Sequence, residues 1–172
     1  KHLIMLKIPL LIAGMFFCLS NIIAANKIDS LKRELSLKVN SDTANVQLRL
    51  DISKQYFDIS PDSSLHYAQT AYKASQKLGN SNLFIASCLQ IGNAFYQLSR
   101  YDSALHYTGK ALALARQRKD HMHYTRALTA TGNIYLRQND YKNALRYYDS
   151  SRRAAGKYKD STELATVINN IA

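Results

Sequence analysis

The sequence predicts an all-α fold, a right-handed solenoid of antiparallel helix pairs, and three observations carry that prediction. The chain repeats every 40 residues: Asp62-Ser63-Ser64-Leu65-His66-Tyr67 returns as Asp102-Ser103-Ala104-Leu105-His106-Tyr107 and, more loosely, as Lys142-Asn143-Ala144-Leu145-Arg146-Tyr147. Gly92-Asn93 returns as Gly132-Asn133 at the same step. Apolar and small residues recur at intervals of three and four, as in Leu83, Ala86, Leu89 and in Ala104, Tyr107, Ala111, Leu114, the spacing of one helix face. No proline follows Pro61, so nothing downstream forces a helix to break. A fixed period of this size means stacked units, none of which buries its apolar face alone. Such an array presents a surface rather than a catalytic pocket.

The segment 1–25 stands apart from the repeats. Lys1, His2 and Lys7 flank the start of an apolar run from Ile8 to Ile23, and Ala24-Ala25 precede the polar Asn26-Lys27-Ile28-Asp29. This order reads as a secretory signal peptide with cleavage near Asn26; the alternative is an uncleaved anchor, because the run approaches the length that spans a bilayer. Met15-Phe16-Phe17 lacks the small residues that would mark Cys18 for lipidation. Residues 26–40 read as a leading helix and linker, with Ile28, Leu31 and Leu35 on one face. The repeats occupy 41–172 as units 41–80, 81–120, 121–160 and a partial 161–172. Their helix pairs are predicted at 43–58 and 62–77, 82–98 and 102–118, and 121–138 and 141–157. Ser60-Pro61 supplies an N-cap and a first-turn proline, Asp140 a further cap, and Gly79-Asn80 the turn between the first two units. Asp160-Ser161-Thr162-Glu163 forms a capping box. Ala172 falls one period after Gly132, so 163–171 read as most of a fourth unit's first helix, and the sequence is expected to be part of a longer protein.

Composition narrows the function classes. Without 1–25 only Cys88 remains, so no internal disulfide is expected and packing alone must hold the exported domain. Cys88 lies on an apolar helix face, the setting of a small buried hydrophobe. The formal charge of +11 is spread out, densest at Arg116-Gln117-Arg118-Lys119 and around Arg152-Arg153, where cations complement helix C-termini; a nucleic-acid partner is not expected. His66 and His106 belong to the repeat itself. His121-Met122-His123 offers three metal ligands without a supporting cluster, and no serine sits in a nucleophile elbow. No catalytic residue, metal or cofactor is expected, and the chain is not predicted to be an enzyme.

The pattern Cys88-x2-Ile91-Gly92-x2-Phe95 then Ala104-x3-Thr108-x2-Ala111, with Leu128-x2-Thr131-Gly132-x2-Tyr135 then Ala144-x3-Tyr148, resembles the tetratricopeptide repeat. The glycines are expected to let the two helices of a unit approach, with Ala104 and Ala144 as small partners and the aromatics filling the gap to the next unit. The first unit departs, with Ile52 where glycine and Ser64 where alanine are expected, and the period exceeds the family's usual 34. Such longer units resemble the exported N-terminal region of bacterial sensor and regulatory proteins.

The resemblance implies a concave surface lined by the first helix of each unit: Arg49, Ser53 and Tyr56; Gln90, Asn93, Tyr96 and Gln97; Arg126, Thr129, Asn133 and Arg137; and Asn169. It implies a protein or peptide partner, acidic in view of the arginines, with membrane contact only through the N-terminal segment or a downstream helix. Asn93 and Asn133 match the type that holds a terminal carboxylate in chaperone-binding members, yet Leu89 and Ala130 stand where polar contacts would help, and a structural capping role fits the two asparagines equally. Three functions stay open: the extracytoplasmic sensory part of a larger bacterial signalling protein, a periplasmic assembly scaffold, and the accessory region of an enzyme whose catalytic domain lies downstream.

Overall fold

A computed structural model describes residues 25–37, 41–158, 166 and 170. The proposed signal segment up to residue 24, the capping box at 160–163 and Asn169 lie outside the described residues. Helix α1 covers 25–36; then follow α2 (Asp42–Tyr56), α3 (Pro61–Lys77), α4 (Ser81–Gln97), α5 (Tyr101–Arg118), α6 (His121–Arg137) and α7 (Tyr141–Tyr158). There is no strand among the described residues, and no helix among them is long and apolar enough to cross a membrane.

Local chemistry sets the helix boundaries. Ser41, Ser60, Asn80 and Asp120 each accept a hydrogen bond from the backbone N–H three residues on, and Asp140 does the same for Asn143, satisfying donors that a helix start leaves open. The Asn143 amide and N–H also hold the Asp140 carboxyl below its usual range. From Gly79 on, the turns reverse the chain through a left-handed residue: Gly79, Ser99, Lys119 and Asn139 have φ between 56 and 64°. Only the first is the glycine this geometry favours. These residues recur every 20 positions, so each 40-residue unit is two helix–turn halves of equal length.

Packing explains why the array curves. The backbone of α2 approaches α4 and that of α4 approaches α6, whereas α3, α5 and α7 do not come together in this way. Long side chains span the outer gap instead: the Lys110 ammonium donates to the Tyr72 hydroxyl at 2.8 Å and sits 5.6 Å from the Phe84 ring centroid. First helices therefore form the inner, concave ring. Beneath them Ile85, Cys88, Leu89, Ala111, Ala115 and Ala127 bury one core cluster, and Ala68, Ile91, Phe95, Ala104 and Ile134 another that joins all three units. Cys88 is fully buried, which pushes its thiol up to about 11.

The two glycine contacts differ. A Cβ at Gly92 would lie 2.7 Å from the Thr108 methyl and 3.4 Å from the Ala104 carbonyl, the close helix approach expected from the sequence. At Gly132 the neighbour is not Ala144: a Cβ there would meet two atoms of the Tyr148 ring at 2.7 Å, so this glycine makes a hollow for an aromatic. The expectation that the aromatics fill the gap between units is also corrected in part. Phe95 stacks on Tyr107 and Tyr135 on Tyr147, each within its own pair, at centroid distances of 5.8 and 5.4 Å. In the first unit the serines replace the small-residue contact: Ser53 Oγ donates to the Ser64 carbonyl and Ser64 Oγ to the Ser53 carbonyl, both at 2.8 Å. Helix α1 buries Ile28 and places the Lys32 ammonium 2.7 Å from the Tyr56 hydroxyl, a bond that raises the lysine pKa.

Candidate functional site

The inner ring encloses a groove of about 560 Å³. Helices α4 and α6 line it with the same six register positions: Asn82, Leu83, Ala86, Leu89, Gln90 and Asn93 from one, and Met122, His123, Arg126, Thr129, Ala130 and Asn133 from the other. Helix α2 contributes Gln47, Leu50 and Lys54. None of these residues is acidic. Lys54 is occupied by Asp51 at 2.9 Å, and the His123 ring by Asp120 at 2.7 Å. Arg126 is exposed and makes no ion pair among the described residues. Gln90 is 8% exposed, and its amide forms no hydrogen bond with described residues. The Asn93 amide is likewise open. Asn133 is not: its Oδ1 accepts from the Tyr148 hydroxyl at 2.6 Å and from the Asn170 amide at 3.1 Å.

Of the positions inferred from sequence, Gln90, Asn93, Arg126, Thr129 and Asn133 line the groove. Thr129 is buried, with its hydroxyl 2.8 Å from that of Ser151. Ser53 is fully buried against α3. Arg49 opens on a separate hollow with Asp42, Asn45 and Lys77 and donates to the Asn45 carbonyl at 3.0 Å. Tyr56, Tyr96, Gln97 and Arg137 sit where the first helices end and brace neighbouring units. Arg137 Nε donates to the Tyr96 hydroxyl at 2.9 Å, which raises the arginine pKa, and Gln97 donates to Asp58 at 2.7 Å. Sequence reasoning missed Gln47, Leu50, Lys54, Asn82, Leu83, Ala86, Met122 and His123; the 40-residue register was the signal that linked Asn82 with Met122 and Leu83 with His123. The His121-Met122-His123 run is divided, since His121 faces a notch with Arg116 and Lys119 while its two neighbours face the groove. Among the described residues no group of three His, Cys, Asp or Glu is placed to hold a metal.

An inner ring of parallel first helices backed by an outer ring of second helices defines an α-solenoid of the protein-interaction class. Residues 83–157 match the tetratricopeptide-repeat family model. Comparison with curated proteins gives no match. Among solved structures it is similar to aspartyl phosphate phosphatase F from Bacillus subtilis, with 18% identity over 75% of this chain and 34% of that one and a TM-score of 0.70. A Rap protein complexed with competence and sporulation factor shares 21% identity over 72% of this chain and 34% of its own, with a TM-score of 0.65. The tetratricopeptide domain of Arabidopsis FLU shares 17% over 68% of this chain and 99% of its own, with a TM-score of 0.62. The chain thus spans about a third of each of the first two structures, and at these identities the likeness is one of fold.

Proposed function

We propose that this chain is a peptide-binding module whose working surface is the groove between α2, α4 and α6, and that it serves as the exported sensory part of a larger bacterial signalling protein. One observation carries the binding reading: no described residue lining the groove is acidic, and the groove presents the amides of Gln90 and Asn93 and the Arg126 guanidinium, none of which has a bonded partner among the described residues. Amides of this kind suit the donors and acceptors of a peptide backbone, and a free guanidinium suits a carboxylate. The partner is accordingly an acidic protein or peptide. The basic, apolar and small-residue order of 1–25 supports export, and a Rap protein in complex with a factor supports the use of this fold in recognition.

The test is a pull-down from envelope extract with Asn93→Ala and Arg126→Glu combined, against a control in which Arg152 and Arg153 are changed. Partners lost only from the groove variant support the reading. Partners kept by that variant and lost from the control would move the working surface to the outer helices. Mass spectrometry of the exported protein should find its start near Asn26; retained residues 1–25 would favour an anchor.

A further inference from the structure

The repeat supplies its own control for what each groove position needs structurally. Where a residue departs from its register mates and faces the groove, the fold does not account for it. Position 90 is Leu50 in the first unit and Ala130 in the third, both apolar, yet α4 carries Gln90, nine-tenths buried with no bonded partner among the described residues. Position 122 is the polar Asn82 in α4, which also lines the groove, yet α6 carries Met122, 45% exposed on the groove wall. Position 126 is Ala86 in α4, which also lines the groove, yet α6 carries Arg126, exposed and without an ion pair among the described residues. His123 and Thr129 also differ from Leu83 and Leu89, but their side chains are taken up by Asp120 and Ser151; the three departures above fall between α4 and α6. The apolar one stands at the end where these helices begin, beside Leu83, and the two polar ones stand further along.

We infer that the junction of α4 and α6 is a specificity site for a peptide segment in which a bulky apolar residue lies next to an acidic one. The apolar side chain seats on Leu83 and Ala86 under Met122, and the carboxylate meets Arg126 while Gln90 engages the neighbouring backbone. Methionine suits the first task because its unbranched thioether adapts to varied apolar shapes. Charge complementarity fixes the second, since no described residue lining the groove is acidic. The orientation follows: the apolar residue faces the start of the first helices and the acidic one their middle. This inference rests on the groove being the peptide site.

The test displays a randomised dodecapeptide library to the full chain and to three variants that restore the repeat's own residues, Met122→Asn, Arg126→Ala and Gln90→Ala. Because each replacement is already present at the equivalent position of another unit, folding is retained, and circular dichroism checks it. The expected motif pairs an apolar with an acidic residue. Met122→Asn should abolish the apolar preference alone and weaken the selected peptide about tenfold, and Arg126→Ala should abolish the acidic preference alone. Peptides that Asn93→Ala releases but that show neither preference would overturn the specificity site and leave the groove reading standing. Selected peptides indifferent to Asn93→Ala, or no selection at all, would overturn both.

Discussion

The pairs α4–α5 and α6–α7 share a register, a glycine and an asparagine, and they use them differently. In α4–α5 the glycine faces the short Thr108, whose hydroxyl turns back to the Ala104 carbonyl at 3.0 Å, and the Asn93 amide lines the groove without a bonded partner among the described residues. In α6–α7 the second helix carries Tyr148, whose ring fills the hollow at Gly132 and whose hydroxyl takes the Asn133 oxygen. A residue on the outer helix thus helps to take up an asparagine whose register mate on α4 stays without a bonded partner among the described residues. Two asparagines at one register position are not two copies of one contact.

The strongest way to break this comparison is Gly132→Leu. The side chain would have to displace a fully buried ring, and a loss of roughly 3 kcal/mol or more is expected from overpacking, read as a lowered urea midpoint; an unmoved midpoint would mean that Tyr148 does not occupy the hollow. Gly92→Ala probes the other pair with a single methyl against Thr108 and the α5 backbone, at an expected cost of about 1–3 kcal/mol. A neutral outcome there would remove the close approach of α4 and α5.

The finest test is Tyr148→Phe, which deletes one hydrogen bond at a cost of about 1 kcal/mol and leaves the Asn133 oxygen with the bond from Asn170. Burial pushes the Tyr148 phenol up to about 12 from its ordinary 10.0, with Tyr96 a smaller contributor. Because the folded value is raised, this stabilisation is complete below pH 10 and is lost as pH climbs towards 12. Cys88 acts in the same direction from 9.0 towards 11. Alkaline unfolding followed by circular dichroism should therefore be shallower in Tyr148→Phe than in the parent, and an identical profile would show that the phenol does not titrate with folding.

Much of the architecture was legible in sequence because period, caps and glycines are local signals. The predicted helix ends fall within about two residues of those observed, and Gly79, Ser60 and Asp140 act as their chemistry requires. The groove was less legible, because a register fixes how far along a helix a residue lies but not which way the helix is turned. Ser53 shares its position with Asn93 and Asn133. It is drawn onto α3 by the reciprocal bonds with Ser64, while Ile52 fills the glycine position beside it. Helix α2 consequently meets the groove through Gln47, Leu50 and Lys54, and Arg49 points to another hollow. No feature of α2 alone announces this turn; it emerges from a serine on the neighbouring helix. The loss of Asn133 to Tyr148 was hidden in the same way, by a partner 15 residues away on the second helix.

The unequal spacing of the two rings gives the array the mechanics of a bent beam. Its inner flange is closed, backbone against backbone, and so resists compression, while its outer flange is open and spanned between α3 and α5 by the Tyr72–Lys110 strut. Bending that tightens the groove pivots on the inner contacts and stretches the strut; bending that widens the groove shortens it. A side-chain bridge yields more readily than packed helices, so a change in groove width would be taken up by flexing the back of the molecule, with the lining of the groove left intact.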